Sequence, residues 1–516
     1  VHPHESTIPA GTAVRLRSQA ETERLAEAVA ASARAGDHIL LSGDLGAGKS
    51  TFARALIRAV ADQSRLEVPS PTFTLVQDYD LPRLRVLHLD LYRIGDPREL
   101  DELGIDDLAP AALVVVEWSE RAPGRFAGNV LEVSLALDPA APQERTAWLR
   151  GEGSWTERLA RLLEVREAIA AMGFGDWSRS FIQGDASSRR YERLGRDGQT
   201  AILMDAPARP DPGIGEVPYS RVAHLAESVT PFVAMATALR ARGFSAPAIL
   251  GADLAAGVLV TEDLGREGIL DAEGRPLEDR YAAAIDLLSA LHDMALPDLL
   301  EVPGARPYRL PAYDHAAMLV EVSLLLDWYV PLATGERLPQ HAVTRFREIW
   351  DDLLFELDDA SARPVWVLRD YHSPNLMWLP RRQGIARVGI LDMQDAVMGP
   401  PAYDVASLVF DARVDIPDRM WRELYSRYVA SRQIADAAFD AEAFDKRFAI
   451  LAAQRNTKIL GIFARLAERD GKRGYLRHIP RIRGYLAHAL SHPVLGALRG
   501  WYETHLPDQD NWLPGT

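Results

Sequence analysis

The 516-residue chain is 47% hydrophobic and 25% charged, with a net charge of −15 and no cysteine. That composition is globular, and the length calls for roughly two to four domains instead of one core. It argues against a broad basic nucleic-acid surface, and it excludes a disulfide framework and thiolate or zinc-thiolate chemistry.

In chain order, the opening "VHPHESTIPAGTAVRLRSQAETE" has no apolar signal core, and no apolar run reaches the ~18–20 residues of a membrane span. The simplest expectation is a cytoplasmic protein. Ser18 to Ala35 reads as a helix with Leu25, Ala28 and Val29 on one face. "HILLSG" (38–43) is a buried strand, and "KSTFARALIRAVAD" (49–62) is an amphipathic helix with Phe52, Leu56 and Ile57 inward. "RVLHLDLY" (85–92) and "ALVVVEW" (112–118) are further strands, and "NVLEVSLAL" (129–137) alternates like an edge strand. Short strands around helices predict an α/β domain with a mostly parallel sheet. "LDPAAPQE" (137–144) and "WLRGEGSW" (148–155) are breaks flanking one brief strand, which puts a domain boundary near 152. The helix "TERLARLLEVREAIAAMGF" (156–174) opens the second part. Strands follow at "YERLG" (191–195) and "TAILMDAP" (200–207), then a helix at 231–242 and a strand in "GVLVTEDLG" (257–265). From about residue 279 the chain is mainly helical, interrupted by "PVWVLRD" (364–370) and "VGILDM" (388–393). The second part is thus a strand-rich small lobe followed by a helical large lobe.

"GDLGAGKS" (43–50) fits G-x-x-x-x-G-K-[ST] between a strand and a helix. The candidate nucleotide cradle is Gly43, Asp44, Leu45, Gly46, Ala47, Gly48, Lys49, Ser50 and Thr51. Backbone N–H groups of Gly46 to Ser50 can surround a β-phosphate at the positive helix end, Lys49 can reach the β/γ-phosphates, and the Ser50 hydroxyl suits Mg²⁺. Such a cradle needs a carboxylate at the end of a neighbouring strand, and Glu117 and Asp90 both stand there. "GDLGAGKSTF", "SPTFTLV", "HLDLYRI" and "VVVEWSER", in order over 19–137, resemble the TsaE family of ATPases, which serve the threonylcarbamoyladenosine modification of tRNA. The resemblance implies a P-loop NTPase fold using ATP and Mg²⁺ and docking on a larger tRNA threonylcarbamoyl-transferase complex. It implies Lys49 for phosphate, Ser50 and Glu117 for Mg²⁺, and Asp90 as a catalytic or metal-side carboxylate. Ser70 and Thr72 would lie in a switch-like segment, with Trp118 beside the site. Ser50 replaces the family's common Thr and keeps the hydroxyl.

"WVLRDYHSPNL" (366–376) sets Asp370 five positions before Asn375, and "GILDMQDA" supplies Asp392 at a strand end. Phosphoryl transfer to an alcohol needs a proton acceptor and cations over the phosphates: Asp370 is the base candidate, Asn375 and Asp392 the metal candidates. "GDASSRRYERL", "AILMDAP", "VLRDYHSPNL", "ILDMQDAVMGPPAYDVASL" and "QRNTKILGIFARL", over about 165–500, resemble the aminoglycoside phosphotransferase superfamily. Within it they resemble the AmgK kinases, which phosphorylate N-acetylmuramic acid and N-acetylglucosamine at the anomeric hydroxyl in cell-wall recycling. The resemblance implies a bilobal protein-kinase-like fold, Asp404 as a structural anchor, and "LVTEDLG" with Glu262 as the hinge whose backbone reads adenine. Met204 stands where small-lobe kinases carry a phosphate-gripping Lys, and the helix at 231–242 has no partner Glu. Arg189 and Arg190 are the candidate substitutes, since guanidinium groups suit phosphate. Leu368 stands where many relatives have His, which implies a rebuilt local network. His372 reads as a loop-packing residue. Arg455, Asn456 and Lys458 lie either on a solvated helix face or in a substrate-carboxylate pocket.

The expected domains are 1–152, an ATPase, and 153–516, a sugar kinase with its small lobe at about 165–265 and large lobe at about 266–516. Three readings compete: a bifunctional fusion, one active enzyme joined to a nucleotide-binding module, and a kinase of another small alcohol such as an aminoglycoside or choline. ATP and Mg²⁺ are the expected cofactors.

Overall fold

The computed structural model describes residues 11–182, 189–208, 217–357 and 363–506. Residues 184–188 of the "GDASSRRYERL" motif lie outside the described residues. The chain forms two compact units: residues 1–207 with 250–263, and residues 208–249 with 264–516.

The first unit contains two sheets. The larger has seven strands: β1 (Thr12–Leu16), β2 (Asp37–Ser42), β3 (Val76–Tyr79), β4 (Arg85–Asp90), β5 (Ala112–Glu117), β6 (Asn129–Asp138) and β7 (Ala141–Glu152), in the order β1-β7-β6-β2-β5-β4-β3. Pairings β2·β6, β2·β5 and β4·β5 are parallel, and the outer pairings are antiparallel. β6 is therefore interior, not the expected edge; the edges are β1 and β3. The proline-bearing "break" at 137–144 is a tight hairpin, closed by Ala140 N–H donating to Asp138 Oδ1 at 2.9 Å. It sends the chain into the twelve-residue β7, which covers β6.

β5 is buried on both faces, which is why it reads as an unbroken apolar run. Its Leu113 and Val115 join a core formed with α1 (Gln19–Ser32) and α2 (Lys49–Ala61). Its Val114 and Val116 join a second core over the other face, with Ile105 of the short α3 (Ile105–Leu108). The helix α1 begins where Ser18 Oγ accepts the Glu21 N–H, a cap of the kind that stabilises a helix by ~1 kcal/mol.

Helix α4 (Trp155–Ala171) belongs to two cores. Trp155, Leu159 and Leu162 pack into the seven-stranded sheet's core. Val165, Ala168 and Ile169 pack against the second sheet of this unit, formed by β8 (Ser178–Ile182), β9 (Arg190–Arg196), β10 (Gln199–Asp205), β11 (Ile249–Asp253) and β12 (Val258–Glu262) in the order β11-β12-β10-β9-β8. Arg158 of α4 makes a buried bidentate ion pair with Asp37 at 2.6 and 2.7 Å, and Arg161 pairs with Asp205. The N–H of Arg179 in β8 donates to Glu27 of α1 at 2.8 Å.

The second unit is mostly helical. Its elements are α5 (Tyr219–Val222), α6 (Thr230–Arg240), α7 (Glu278–Asp293), the ladder β13 (Leu299–Leu300) with β14 (Tyr308–Arg309), α8 (His315–Leu324), α9 (Val330–Thr334) and α10 (Gln340–Phe355). There follow β15 (Val365–Val367), β16 (Leu376–Trp378), β17 (Val388–Ile390) and β18 (Val397–Gly399), paired as β15·β18 and β16·β17, then α11 (Ala402–Val409), α12 (Asp418–Ala435), α13 (Ala441–Glu468), α14 (Ile479–Leu490) and α15 (Gly496–His505). Gly461 lets α13 cross the end of α8 at backbone distance: a Cβ there would collide with Leu324. A single π-helical turn, Leu325–Tyr329, follows that crossing. The continuous helical run His315–Thr334 is 20 residues long and contains an 18-residue window of mean hydropathy 1.5, so among the described residues one helix has the length and composition of a membrane span, although Glu321 and Asp327 interrupt its apolar residues. It carries Glu321, fully buried and ion-paired inside this unit, as a core helix does.

Candidate active sites

The P-loop joins β2 to α2. Gly43 runs close along β6, where a side chain would strike the Leu135 carbonyl. Gly48, at φ 108°, precedes α2 with no side chain capping the helix, so the N-terminal N–H groups of α2 are offered to an anion. Lys49 is buried; its Nζ donates to the Gly43 and Asp44 carbonyls at 2.6 and 2.9 Å and lies 3.4 Å from the centre of the Trp118 ring. Burial depresses the ammonium's pKa, against Glu120, Glu117, Asp44 and Asp90, whose negative charges raise it.

Ser50 Oγ donates to Glu117 Oε2 at 2.6 Å, while Glu117 Oε1 lies 2.9 Å from His88 Nε2. Asp90 and Glu117 are register partners on parallel β4 and β5. Asp90 Oδ2 accepts from Ser70 at 2.7 Å and Thr72 at 2.9 Å, and Oδ1 from the Tyr92 N–H at 3.0 Å. Ser50, Glu117 and Asp90 thus gather hard oxygens at one end of the sheet, a donor set suited to Mg²⁺. His88 and Arg145 were not singled out from sequence. His88 is 1% exposed and orients Glu117. The Arg145 guanidinium lies against Gly48 from β7. Neither has a local signal: each reaches the loop only once the sheet is assembled.

On the second sheet, Met204 is buried and pairs with Tyr191 and Leu259. Arg190 opens β9 opposite Asp205 and lines a cavity with Ala31, Ser32, Arg161 and Leu162. Strand alternation puts it on the α4 side with Glu192 and Leu194, the face opposite Met204. Arg189 immediately precedes β9, and Glu262 is the last residue of β12.

In the second unit, the loop after β15 is held by two buried carboxylates. Asp404 of α11 accepts the Leu368 and Arg369 N–H groups at 2.6 and 2.9 Å. Burial pushes its pKa up to about 7, against those two donors, which favour the ionised form. Asp411 accepts the Ser373 N–H at 2.8 Å and the Tyr281 hydroxyl at 3.1 Å. Arg369 sits at φ 65°, a conformation that costs a non-glycine residue about 1–3 kcal/mol and persists only where its surroundings impose it. Here they do. Its guanidinium donates to the Ala223 carbonyl and pairs with Glu321, and its own carbonyl accepts from Ser407. Glu321 also accepts from Lys458, Gln454 and Tyr313. Burial opposes its charge, but Lys458 and Arg369 outweigh burial and bring its pKa to about 2. These contacts form one buried polar network around the residue next to Leu368.

Asp370 follows, partly exposed. Burial raises its pKa, and His372, Lys458, Arg455 and Arg369 outweigh that, so the group lies below the ordinary carboxylate range. Asn375 donates its side-chain N–H to the Asp370 carbonyl at 2.9 Å, leaving its amide oxygen as the atom for a cation. The Leu391 N–H donates to the Asn375 carbonyl, which ties the neighbouring Asp392 to the loop; Asp392, at φ 56°, accepts from Gln394. Asp370, Asn375 and Asp392 are therefore brought to one loop cluster. The "QRNTK" stretch is no solvated face: Gln454, Arg455, Asn456 and Thr457 are all buried.

Two family models match the chain: the threonylcarbamoyl adenosine biosynthesis protein TsaE over residues 16–146, and the phosphotransferase enzyme family over residues 178–442. An N-acetylmuramate/N-acetylglucosamine kinase of Caulobacter vibrioides is 39% identical over 352 residues, which is 66% of this chain and 95% of that protein. The kinase of the same name from Pseudomonas aeruginosa is 32% identical, over 63% of this chain and 88% of its own. A tRNA threonylcarbamoyladenosine biosynthesis protein TsaE of Rickettsia conorii is 40% identical over 124 residues, 24% of this chain and 70% of its own length. The chain belongs to the TsaE family in its N-terminal part and to the phosphotransferase enzyme family in the part that follows.

Proposed function

We propose that the chain is two ATP-using enzymes in one polypeptide, an ATPase supporting the threonylcarbamoyladenosine modification of tRNA and a kinase of N-acetylmuramic acid and N-acetylglucosamine. The observation that carries the kinase reading is the similarity covering 95% of the Caulobacter vibrioides protein, in a chain whose Asp370 side chain is 41% exposed and whose carboxyl lies below the ordinary range. Asp370 accepts the proton of the anomeric hydroxyl as that oxygen attacks the γ-phosphorus of ATP and the bond to the β,γ-bridging oxygen breaks. Asn375 and Asp392 would hold Mg²⁺ there, as Ser50 and Glu117 would in the ATPase half, and the ion supplies neutralising charge over the phosphates. Asp404 keeps the loop in shape, Arg189 is the proposed phosphate cation, and the backbone at Glu262 the proposed adenine contact. In the ATPase half, Lys49 turns from the Gly43 and Asp44 carbonyls to the phosphates, and Asp90 with Ser70 and Thr72 forms a switch-like cluster. We place this protein in the cytoplasm and in cell-wall sugar recycling, with its ATPase part docking on the tRNA-modifying complex.

The test offers the whole chain ATP and Mg²⁺ with N-acetylmuramic acid, N-acetylglucosamine, choline and kanamycin, and reads the product by phosphorus NMR. A sugar 1-phosphate that disappears in Asp370→Asn and persists in Lys49→Ala is the expected result. Product only from choline or kanamycin refutes the acceptor, and loss of sugar phosphorylation in Lys49→Ala refutes two independent sites.

A further inference from the structure

Helix α13 carries four consecutive polar residues and Lys458 into the interior of the second unit, and nearly every one has a partner. Gln454 donates to Glu321 and the Met318 carbonyl, Asn456 to the Ala452 carbonyl, and Lys458 to Glu321, while Thr457 meets the Tyr502 hydroxyl. Arg455 is the exception. It is 3% exposed, yet its Nε and one terminal nitrogen have no hydrogen-bond partner. Among the described residues no carboxylate forms an ion pair with it.

An isolated buried charge costs several kcal/mol even after relaxation. Water can satisfy an N–H but does not neutralise a guanidinium. A charge kept under those conditions is expected to meet an anion that comes and goes. Its position says which anion. Arg455 lies one helical turn from Lys458, which bonds the Glu321 that pairs with Arg369, the residue next to Asp370, so α13 brings this charge to the same loop region, where it is felt at Asp370 and His372. The buried Nδ1 of His372 also lacks a partner. Asp404, the other carboxylate its field reaches, already accepts two backbone N–H groups.

We propose that Arg455 is the specificity residue of the kinase site, receiving a carboxylate of the sugar acceptor. The inference rests on the sugar-kinase reading and deepens it. Of the two sugars in the relatives' names, N-acetylmuramate carries a carboxylate on its lactyl ether and N-acetylglucosamine carries none. Arg455 therefore favours the acid sugar over the neutral one. The anions within reach of a kinase loop are this carboxylate and the phosphates of ATP, and kinetics separate them.

The experiment compares the full-length wild type, R455M and R455K, varying each sugar at saturating ATP and then ATP at saturating sugar. The methyl ester of N-acetylmuramic acid is a third acceptor. Losing a charged hydrogen bond predicts a fall of about 10–100-fold in kcat/KM for N-acetylmuramic acid in R455M. The loss on N-acetylglucosamine, which reads only the charge of Arg455 near Asp370, should be smaller by about 10-fold or more than the loss on N-acetylmuramic acid. R455K should restore part of the loss. The wild type should use the ester no better than it uses N-acetylglucosamine, a result that does not depend on any variant folding. Equal losses on both sugars, a selective rise in the KM for ATP, or a wild type indifferent to esterification would each overturn the proposal. A wild type that phosphorylates neither sugar sinks the function reading and this inference together. Activity on both sugars that is blind to R455M and to the ester sinks this inference alone.

Discussion

Glu27 gives the sharpest test of how the first unit is held together. Its carboxyl on α1 accepts the Arg179 N–H of β8 at 2.8 Å, so an ATPase helix completes a hydrogen bond for the edge of the kinase-family sheet. Burial raises its pKa from 4.5 to about 7, helped slightly by Glu23 and opposed by the Arg179 N–H and by Arg179 and Arg24. The sign follows from linkage. Between pH 4.5 and 7 the folded protein holds a proton that the unfolded chain has lost, so stability falls as pH rises through that window, and the full cost is present above pH 7. At about 1.36 kcal/mol per unit the shift amounts to ~3 kcal/mol. Glu27→Gln keeps an acceptor for the Arg179 N–H and removes the titration. The variant should match the wild type near pH 4.5 and be more stable by up to ~3 kcal/mol at pH 8. Hydrogen exchange of the α1 and β8 amides, compared between the two proteins at equal pH, reads this locally without assuming two-state unfolding. Protection that differs by the same amount at every pH, or a variant less protected at pH 8, would refute the reasoning.

Other outcomes follow from single contacts. Asp404→Asn can accept only one of the two N–H groups from Leu368 and Arg369, and its amide NH₂ must face the other. Sugar phosphorylation should fall about 5–150-fold in a variant whose circular dichroism is unchanged, since the unmet N–H costs ~1–3 kcal/mol at the loop of the proposed base. Arg158→Met leaves Asp37 buried with one backbone donor, from Arg34, and should lower unfolding stability by ~3–5 kcal/mol in urea titrations. Adding Asp37→Asn to Arg158→Met should recover most of that loss. Gly461→Ala drives a methyl into the Leu324 backbone at the α8–α13 crossing and should lower the melting temperature, with a cost of ~1–3 kcal/mol.

The P-loop was legible because all its parts are local: a strand, a loop with glycines where the chain turns back, and a helix start within fourteen residues or so. Asp370, Asn375 and Asp392 were legible for a similar reason, since a short ladder returns the chain to the same loop. β6 was misread because alternation tells which face of a strand is covered, not whether another strand flanks it. β7 covers it through a hairpin that looked like a proline break. Arg190 was a phosphate candidate by residue type, and only strand register shows that it faces α4.

By itself, the sequence determined the two loops proposed to handle phosphate, the helix and strand periods around them, and the families to which they belong, because these depend on neighbours close in the chain. Only the tertiary structure decided which charges are paired. Glu321, Arg369 and Lys458 come from three distant segments to compensate one another, His88 reaches Glu117 across two strands, and Arg455 is buried without an ion partner among the described residues. The reason is physical: the energy of a buried charge depends on what the fold brings within a few ångströms of it, and spacing along the chain does not carry that distance.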